Sequence, residues 1–279
     1  SSTRARWECT VPINDVILEI CVVLSVAPAN GSTGGPDSRI ITVMNGSTAT
    51  GVAVTLTDAS TAGCDSGEAI FVGQTDEMSI QFSASNLPPQ SDILYAIRHR
   101  TDGQRSWLCG NAGDVQLSAA GTFYWSFAGT HQFSDTDHYQ AEIVLAGTGV
   151  FDVLCMHMVT APGLGDTMTY TVMNNDSADT DLRVALSNGE VDECATDITG
   201  GVAPTAGQTI SLQSVPSGTP VDTYGTWSIA WNSTATNNRY MIPFGVRDNA
   251  ANGSTDYAVP WGADQLYSAT ESDVREQTQ

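Results

Sequence analysis

One stretch of this chain occurs twice, and that duplication constrains the fold more than any other feature. The second copy runs from Phe151-Asp152-Val153-Leu154-Cys155-Met156-His157-Met158-Val159 through Ala161-Pro162-Gly163 and Thr169-Tyr170-Thr171-Val172-Met173-Asn174 to Cys194. The first runs from Cys21-Val22-Val23-Leu24-Ser25-Val26-Ala27-Pro28 through Ile41-Thr42-Val43-Met44-Asn45 to Cys64. The offset is 134 at the first Cys (155 − 21), 129 at the Met (173 − 44) and 130 at the second Cys (194 − 64). A loop difference, 30–36 against 163–166, absorbs the change. Beyond the Cys pair, Glu77-Met78-Ser79-Ile80-Gln81-Phe82 matches Gln208-Thr209-Ile210-Ser211-Leu212-Gln213, and Leu94-Tyr95 matches Thr226-Trp227.

The repeated unit reads as β. Helical periodicity is nearly absent, while period-2 alternation of β-branched and aromatic residues recurs between Gly, Asn, Asp, Ser and Pro. The pattern predicts strands near 16–26, 39–45, 51–57, 77–83, 92–99, 121–128, 139–146, 150–159, 167–173, 181–187, 207–213, 225–231 and 239–246. At 41% apolar, the 279 residues suffice for two cores. The expected fold is all-β: two tandem jelly-roll-like antiparallel β-sandwiches, 1–112 and 113–249, with a strand-bearing tail at 250–279.

The second unit has a preface, Thr122-Phe123-Tyr124-Trp125-Ser126-Phe127-Ala128-Gly129 followed by 134–142. The first unit has only the end of it, with Glu8 thirteen residues before Cys21 as Glu142 is before Cys155. The aromatic opening recurs at the far end, as Tyr257-Ala258-Val259-Pro260-Trp261-Gly262. The first sandwich is therefore expected to carry an unpaired edge, which invites an added strand. Tyr257, Val259, Trp261 and Leu266 are the candidate assembly strand. Donation to the next subunit would be head-to-tail and would yield a filament or a ring. A longer tandem protein, or a tail folded back on its own first unit, would read the same way.

Ten Arg and no Lys stand against 31 acidic residues, for a net charge of −21. Such a surface releases no counterions from nucleic acid and is repelled by anionic membranes. High salt screens it within a few ångströms; a genome that prefers Arg codons explains the missing Lys equally well. No apolar run reaches the length of a membrane helix. No leader is recognisable, and a chain opening on Ser1 reads as a processed product or as part of a longer one.

Six Cys occur without a CxxC pair. The repeat suggests Cys21–Cys64 and Cys155–Cys194 as disulfides of an extracellular protein. Cys9 and Cys109 align with Ile143 and about Pro243 and lie outside the repeat, free to bond each other or another subunit. His157 follows Cys155 by two, yet the first unit has Val23 there and no third catalytic group is near. No GxSxG, HExxH or P-loop occurs, and the chain is read as non-enzymatic. Glu8/Glu142 is the aligned acid pair an enzyme would use. His131, Asp135, Asp137 and His138 form a hydrophilic loop. Asp176, Asp179 and Asp181 offer oxygen ligands for calcium without the EF-hand Gly and Glu; no other cofactor is implied. Asn30, Asn45, Asn175, Asn232 and Asn252 head glycosylation sequons. Trp125, Trp227, Trp231 and Trp261 suit core packing or a sugar platform.

The aromatic strand ending in Gly, the Ala-Pro-Gly turn, the Thr-Val-x-Asn strand and the run Ala206-Gly207-Gln208-Thr209-Ile210-Ser211-Leu212-Gln213-Ser214-Val215-Pro216-Ser217-Gly218-Thr219-Pro220 together resemble jelly-roll-like modules in structural proteins of tailed phages, often marine. The resemblance covers most of 121–247 and, more loosely, 6–100. It implies service in a fibre, spike or capsid decoration, and carries no catalytic residues. The expectation is a virion or extracellular structural protein whose partners are copies of itself and other surface structural proteins. A glycan-binding adhesin or receptor-binding module is the alternative.

Overall fold

The structure is a computed structural model. It describes residues 9–28, 37–85, 93–101, 105–111, 116–127, 132–134, 141–145, 148–175, 177–196, 201–205 and 207–233, and two short strands at 257–258 and 266–267. The first half comprises β1 (Cys9–Thr10), β2 (Asp15–Leu24), β3 (Ser38–Asn45), β4 (Thr48–Thr57), β5 (Ala62–Asp65), β6 (Ile70–Val72), β7 (Glu77–Ser85) and β8 (Ile93–Thr101). Then follow β9 (Arg105–Asn111), β10 (Phe123–Trp125), β11 (Gln132–Ser134), β12 (Ile143–Val144), β13 (Gly149–Met158), β14 (Thr167–Asn174), β15 (Ser177–Ser187), β16 (Asp192–Thr196), β17 (Thr209–Ser217) and β18 (Gly225–Ser233). The last two are β19 (Tyr257–Ala258) and β20 (Leu266–Tyr267). No α-helix occurs among the described residues.

All strand pairing among the described residues is antiparallel. The first half has one sheet in the order β1-β7-β3-β4 and a second in which β2 pairs with β5, β6 and β8. The second half has β11-β10-β17-β14-β15, with β12 also on β17, and β16-β13-β18-β9. The pairing repeats to the residue. Cys21 lies opposite Cys64 and Ala96, and Cys155 opposite Cys194 and Ser228. Register shifts between Ile17 and Glu19 recur between Phe151 and Val153, and those between Thr42 and Met44 recur between Thr171 and Met173.

The bulge in β2 explains its sequence. Ile20, Val22 and Leu24 alternate into the core, but Ile17 precedes Ile20 by three, so the inward phase skips one residue where the ladder shifts. In β13, Phe151 and Leu154 repeat this spacing. Each pair of sheets encloses its own apolar cluster. The first is aliphatic, from Ile17, Ile20, Ile41, Val54 and neighbours; the second adds Trp125, Phe127, Phe151, Trp227 and Trp231.

The structure departs from the sequence reading at three places. β9 lies within 1–112 yet is hydrogen bonded to β18, so the second half's sheet recruits it. Met78 and Ile210 lie opposite Asn45 and Asn174, one residue off the match of Glu77 with Gln208. A one-residue slip would turn every side chain to the other face, so burial of Ile210 and Met78 sets the register. β5, β6 and β16 are edge strands of 4, 3 and 5 residues, too short for a period-2 pattern to stand out, which is why the pattern passed over them. The predicted strand 239–246 lies outside the described residues.

Candidate assembly site

The repeated pairing makes the two halves comparable residue by residue. Ile80 and Phe82 on β7 correspond to Leu212 and Ser214 on β17. Tyr95, Ile97 and His99 on β8 correspond to Trp227, Ile229 and Trp231 on β18.

In the second half, β10 closes the sandwich along β17, with Trp125 opposite Leu212. The Trp125 ring meets Trp227 at 5.3 Å between centroids and 60°. Its Nε1 donates to Ser214 Oγ at 3.1 Å, and Trp227 Nε1 donates to the Ser126 carbonyl at 3.1 Å. Both indole N–H groups are thus satisfied inside an apolar core, as burial demands. Trp125, Phe127 and Trp227 are fully buried.

In the first half, no described residue takes the place of β10. A trough of about 300 Å³ remains, lined among others by Ile17, Met78, Ile80, Tyr95, Ile97 and Trp107. Tyr95, the counterpart of buried Trp227, is 51% exposed; Phe82, the counterpart of buried Ser214, is 49% exposed. Their rings stand 6.2 Å apart. Covering the exposed half of each such side chain is worth roughly 1 kcal/mol.

The halves are joined at the trough's floor. Cys9 of β1 is bonded to Cys109 of β9. Ser228 Oγ donates to the Thr10 carbonyl, and Ile13, Val153, Cys155 and Ala230 pack together with Trp107. Trp107 Nε1 donates to Asp15 Oδ2 at 2.7 Å, and His99 Nδ1 lies 2.7 Å from the same oxygen. Asp15 is buried. Burial pushes its carboxyl toward the neutral form, but the bonds from His99, Trp107 and the Val16 N–H outweigh that and hold it below its ordinary value.

Cys21 is bonded to Cys64 and Cys155 to Cys194, each across a strand pair. Cys155 therefore carries no thiolate, and no Cys–His nucleophile exists beside His157. With Cys9–Cys109, three disulfides are present, as in proteins of oxidising, extracellular compartments. No helix is long and apolar enough to cross a membrane among the described residues.

Among the described residues, two groups have side chains close enough to hold a metal ion. Glu19, Cys21 and Cys64 form one, but its sulfurs are tied in the disulfide. The other, missed in the sequence, is Glu77, His157 and Asp192, with His157 Nδ1 2.5 Å from Asp192 Oδ1 and 3.3 Å from Glu77 Oε1. One nitrogen and two carboxylates suit a transition metal better than calcium. Glu77 comes from the first half and the others from the second, so no local spacing announced it. Asp176 and the side chains of Asp179 and Asp181 lie outside the described residues, as do His131, Asp135, Asp137, His138, Glu8, Asn30 and Asn252. Of the remaining sequons, Asn45 Nδ2 donates to Asp76, the Asn175 side chain accepts from Thr209, and Asn232 is exposed.

In the tail, Tyr257 lies opposite Tyr267 and Ala258 opposite Leu266. β10 and β11 form a similar antiparallel ribbon, with Phe123 opposite Ser134 and Tyr124 opposite Phe133, but the tail's register is one residue shorter: Tyr257 pairs ten residues on, where Phe123 pairs eleven on. The ribbon is hydrogen bonded to no other sheet among the described residues. Val259 and Trp261 lie outside them.

Comparison with protein-family models and with curated proteins finds no match to this chain.

Proposed function

We propose that the protein is a non-enzymatic structural subunit that assembles head to tail, residues 257–262 of one copy entering the trough of the next. The observation that carries this reading is the half-exposure of Tyr95 and Phe82 where their counterparts are sealed by β10. The tail's antiparallel ribbon, of the same kind as β10–β11 though one residue shorter in register, supports it from the donor side. At the same offset of 134, Val259 and Trp261 stand for Trp125 of the closing strand and Phe127 just beyond it, both buried in the second core. The match is specific. Trp125 needs the Ser214 hydroxyl, whereas Val259 has no N–H to satisfy, and Phe82 offers no acceptor.

The reading places the donor and acceptor in different molecules. β9 follows β8 after residues 102–104 and enters the neighbouring half, not the half it leaves. A tail leaving β18 in the same manner serves a module beyond the second half, while the first half lies on the other side. The contact does not close on itself and gives a filament or ring.

A jelly-roll pair fits this reading. Numbering β9, β10, β13, β14, β15, β16, β17 and β18 from one to eight, the second half's sheets run 1-8-3-6 and 2-7-4-5, an arrangement of two interleaved Greek keys. Resemblance to tailed-phage modules and the disulfides favour a virion appendage, capsid decoration or extracellular filament. The adjacent exposed rings of Phe82 and Tyr95 also suit sugar stacking, which favours a glycan-binding adhesin as the second reading.

Electron microscopy and sedimentation of the full chain, a chain ending at Asn249 and Trp261→Asp decide the matter. Polymers of the full chain alone are expected. Equal assembly by all three overturns strand donation, and a concentration-independent monomer points to self-docking. Binding of the monomer on a glycan array would favour the adhesin.

A further inference from the structure

The joint between copies calls for a second strand. Resting on the docking reading above, we infer that residues 239–245 of one copy pair with the outer edge of β8 in the next. β8 is hydrogen bonded to β2 along Ile93–Thr101, and no other described strand pairs with it. Its counterpart β18 is flanked by β9, with Leu108 opposite Ile229, Trp107 opposite Ala230 and Gly110 opposite Trp227. An open edge beside an unfilled trough is a template for chain pairing.

The sequence repeats the placement of β9. Arg105 precedes Phe123 by 18 residues (123 − 105), and Arg239 precedes Tyr257 by 18 (257 − 239). Both lie 134 from their counterparts, the offset of Cys21 and Cys155. Met241 thereby stands for Trp107, Ile242 for Leu108, Pro243 for Cys109 and Phe244 for Gly110. Leu108 packs on the second core, so Ile242 would pack on the first, opposite Ile97. Gly110 is obligatory beside Trp227, because a Cβ there would lie 2.3 Å from the indole Nε1. On β8 the indole is replaced by the smaller Tyr95; the glycine is matched by Phe244, whose Cβ must also clear the backbone carbonyl standing for that of Ser126, which lies 2.9 Å from the Cβ position at Gly110. Pro243 restricts this segment to an outermost strand, where alternate N–H groups face away from the ladder, and β9 is the outermost strand of its sheet.

The same alignment separates two kinds of joint. Within the chain, Cys109 ties the incoming strand to Cys9 of the preceding half. Between copies, the corresponding residues are Pro243 and Ile143, and no disulfide forms. The intermolecular joint is held by pairing and burial alone.

The test uses the full chain in two variants, Arg98→Cys and Met241→Cys, mixed under mild oxidation. Arg98 is exposed, and its alignment with Ala230 sets it opposite Met241, as Ala230 is opposite Trp107. The native disulfides are intramolecular, so on a non-reducing gel only the introduced thiols link copies. A covalent dimer in the mixture, absent from either variant alone, is the expected result. Assembly by electron microscopy without that dimer overturns the second strand and leaves the first intact. Absence of both assembly and dimer overturns the docking reading as well.

Discussion

The two halves share strand order, bulge positions and a cross-strand disulfide, yet one is sealed and the other is not. In the second half an aromatic strand closes the sandwich, and both Trp125 and Trp227 find an acceptor as well as a packing partner. In the first half those positions are open. The residues that faced Trp125 have changed to suit, with Tyr95 and Phe82 half-exposed rather than buried. A repeated fold can thus be complete in one copy and receptive in the other, by the presence or absence of one strand. The largest test makes the closed half resemble the open one. Trp125→Ala removes a fully buried ring and leaves Ser214 Oγ without its indole donor. It should cost about 3–5 kcal/mol by denaturant titration, with a red-shifted emission as Trp227 meets water. A loss under about 1 kcal/mol would mean the strand is not what seals the half.

The two repeated disulfides test the halves against each other. Cys21–Cys64 spans 43 residues and Cys155–Cys194 spans 39, so loop entropy alone predicts nearly equal effects. Replacing either pair with Ala should cost about 2–4 kcal/mol. The open half has no aromatic core in reserve. Cys21→Ala with Cys64→Ala should therefore abolish its cooperative unfolding, while the second half still melts as a unit. Calorimetry that shows the reverse order would reverse the comparison.

Part of this was legible in the sequence. The duplication was readable because both members of each Cys pair and the Met-Asn ends of β3 and β14 recur in step. The missing aromatic strand was readable because Phe123 to Phe127 has no counterpart before Cys21 but has one at Tyr257. β9 was hidden for a physical reason. Leu108 packs on the second core and Trp107 on the first, so its apolar residues are consecutive and do not alternate. The junction was hidden because its partners are distant in sequence. Asp15 sits among apolar residues, and Trp107, which donates to it, lies 92 residues away.

That carboxylate gives a smaller test of the junction. Asp15 is held below its ordinary value of 3.8, so its contribution is fully present above that pH and is lost as pH falls through the lower folded value. Wild type should lose junction stability on acidification below about pH 4. Asp15→Asn keeps an acceptor for Trp107 but removes the charge facing His99. It should cost about 1.5–3 kcal/mol at neutral pH and flatten the acid limb of the stability profile. An acid limb unchanged in the variant would assign that pH dependence to other carboxylates.

The smallest effect on folding should accompany a large effect on assembly. Phe82→Ser installs on the open half the residue found at the same place in the closed one. Because Phe82 is 49% exposed in the isolated chain, the change should cost its stability only about 1 kcal/mol. In the docked state the same ring is expected to lie against Val259, so its removal should raise the concentration needed for polymerisation by tenfold or more, read by sedimentation. Adding Val259→Trp in the same chain restores the pairing of indole and hydroxyl seen at Trp125 and Ser214, and should recover assembly. Recovery by the double variant but by neither single change would show that the two positions meet. A Phe82→Ser chain that polymerises like wild type would detach the exposed rings from the joint and leave them as a surface for some other ligand.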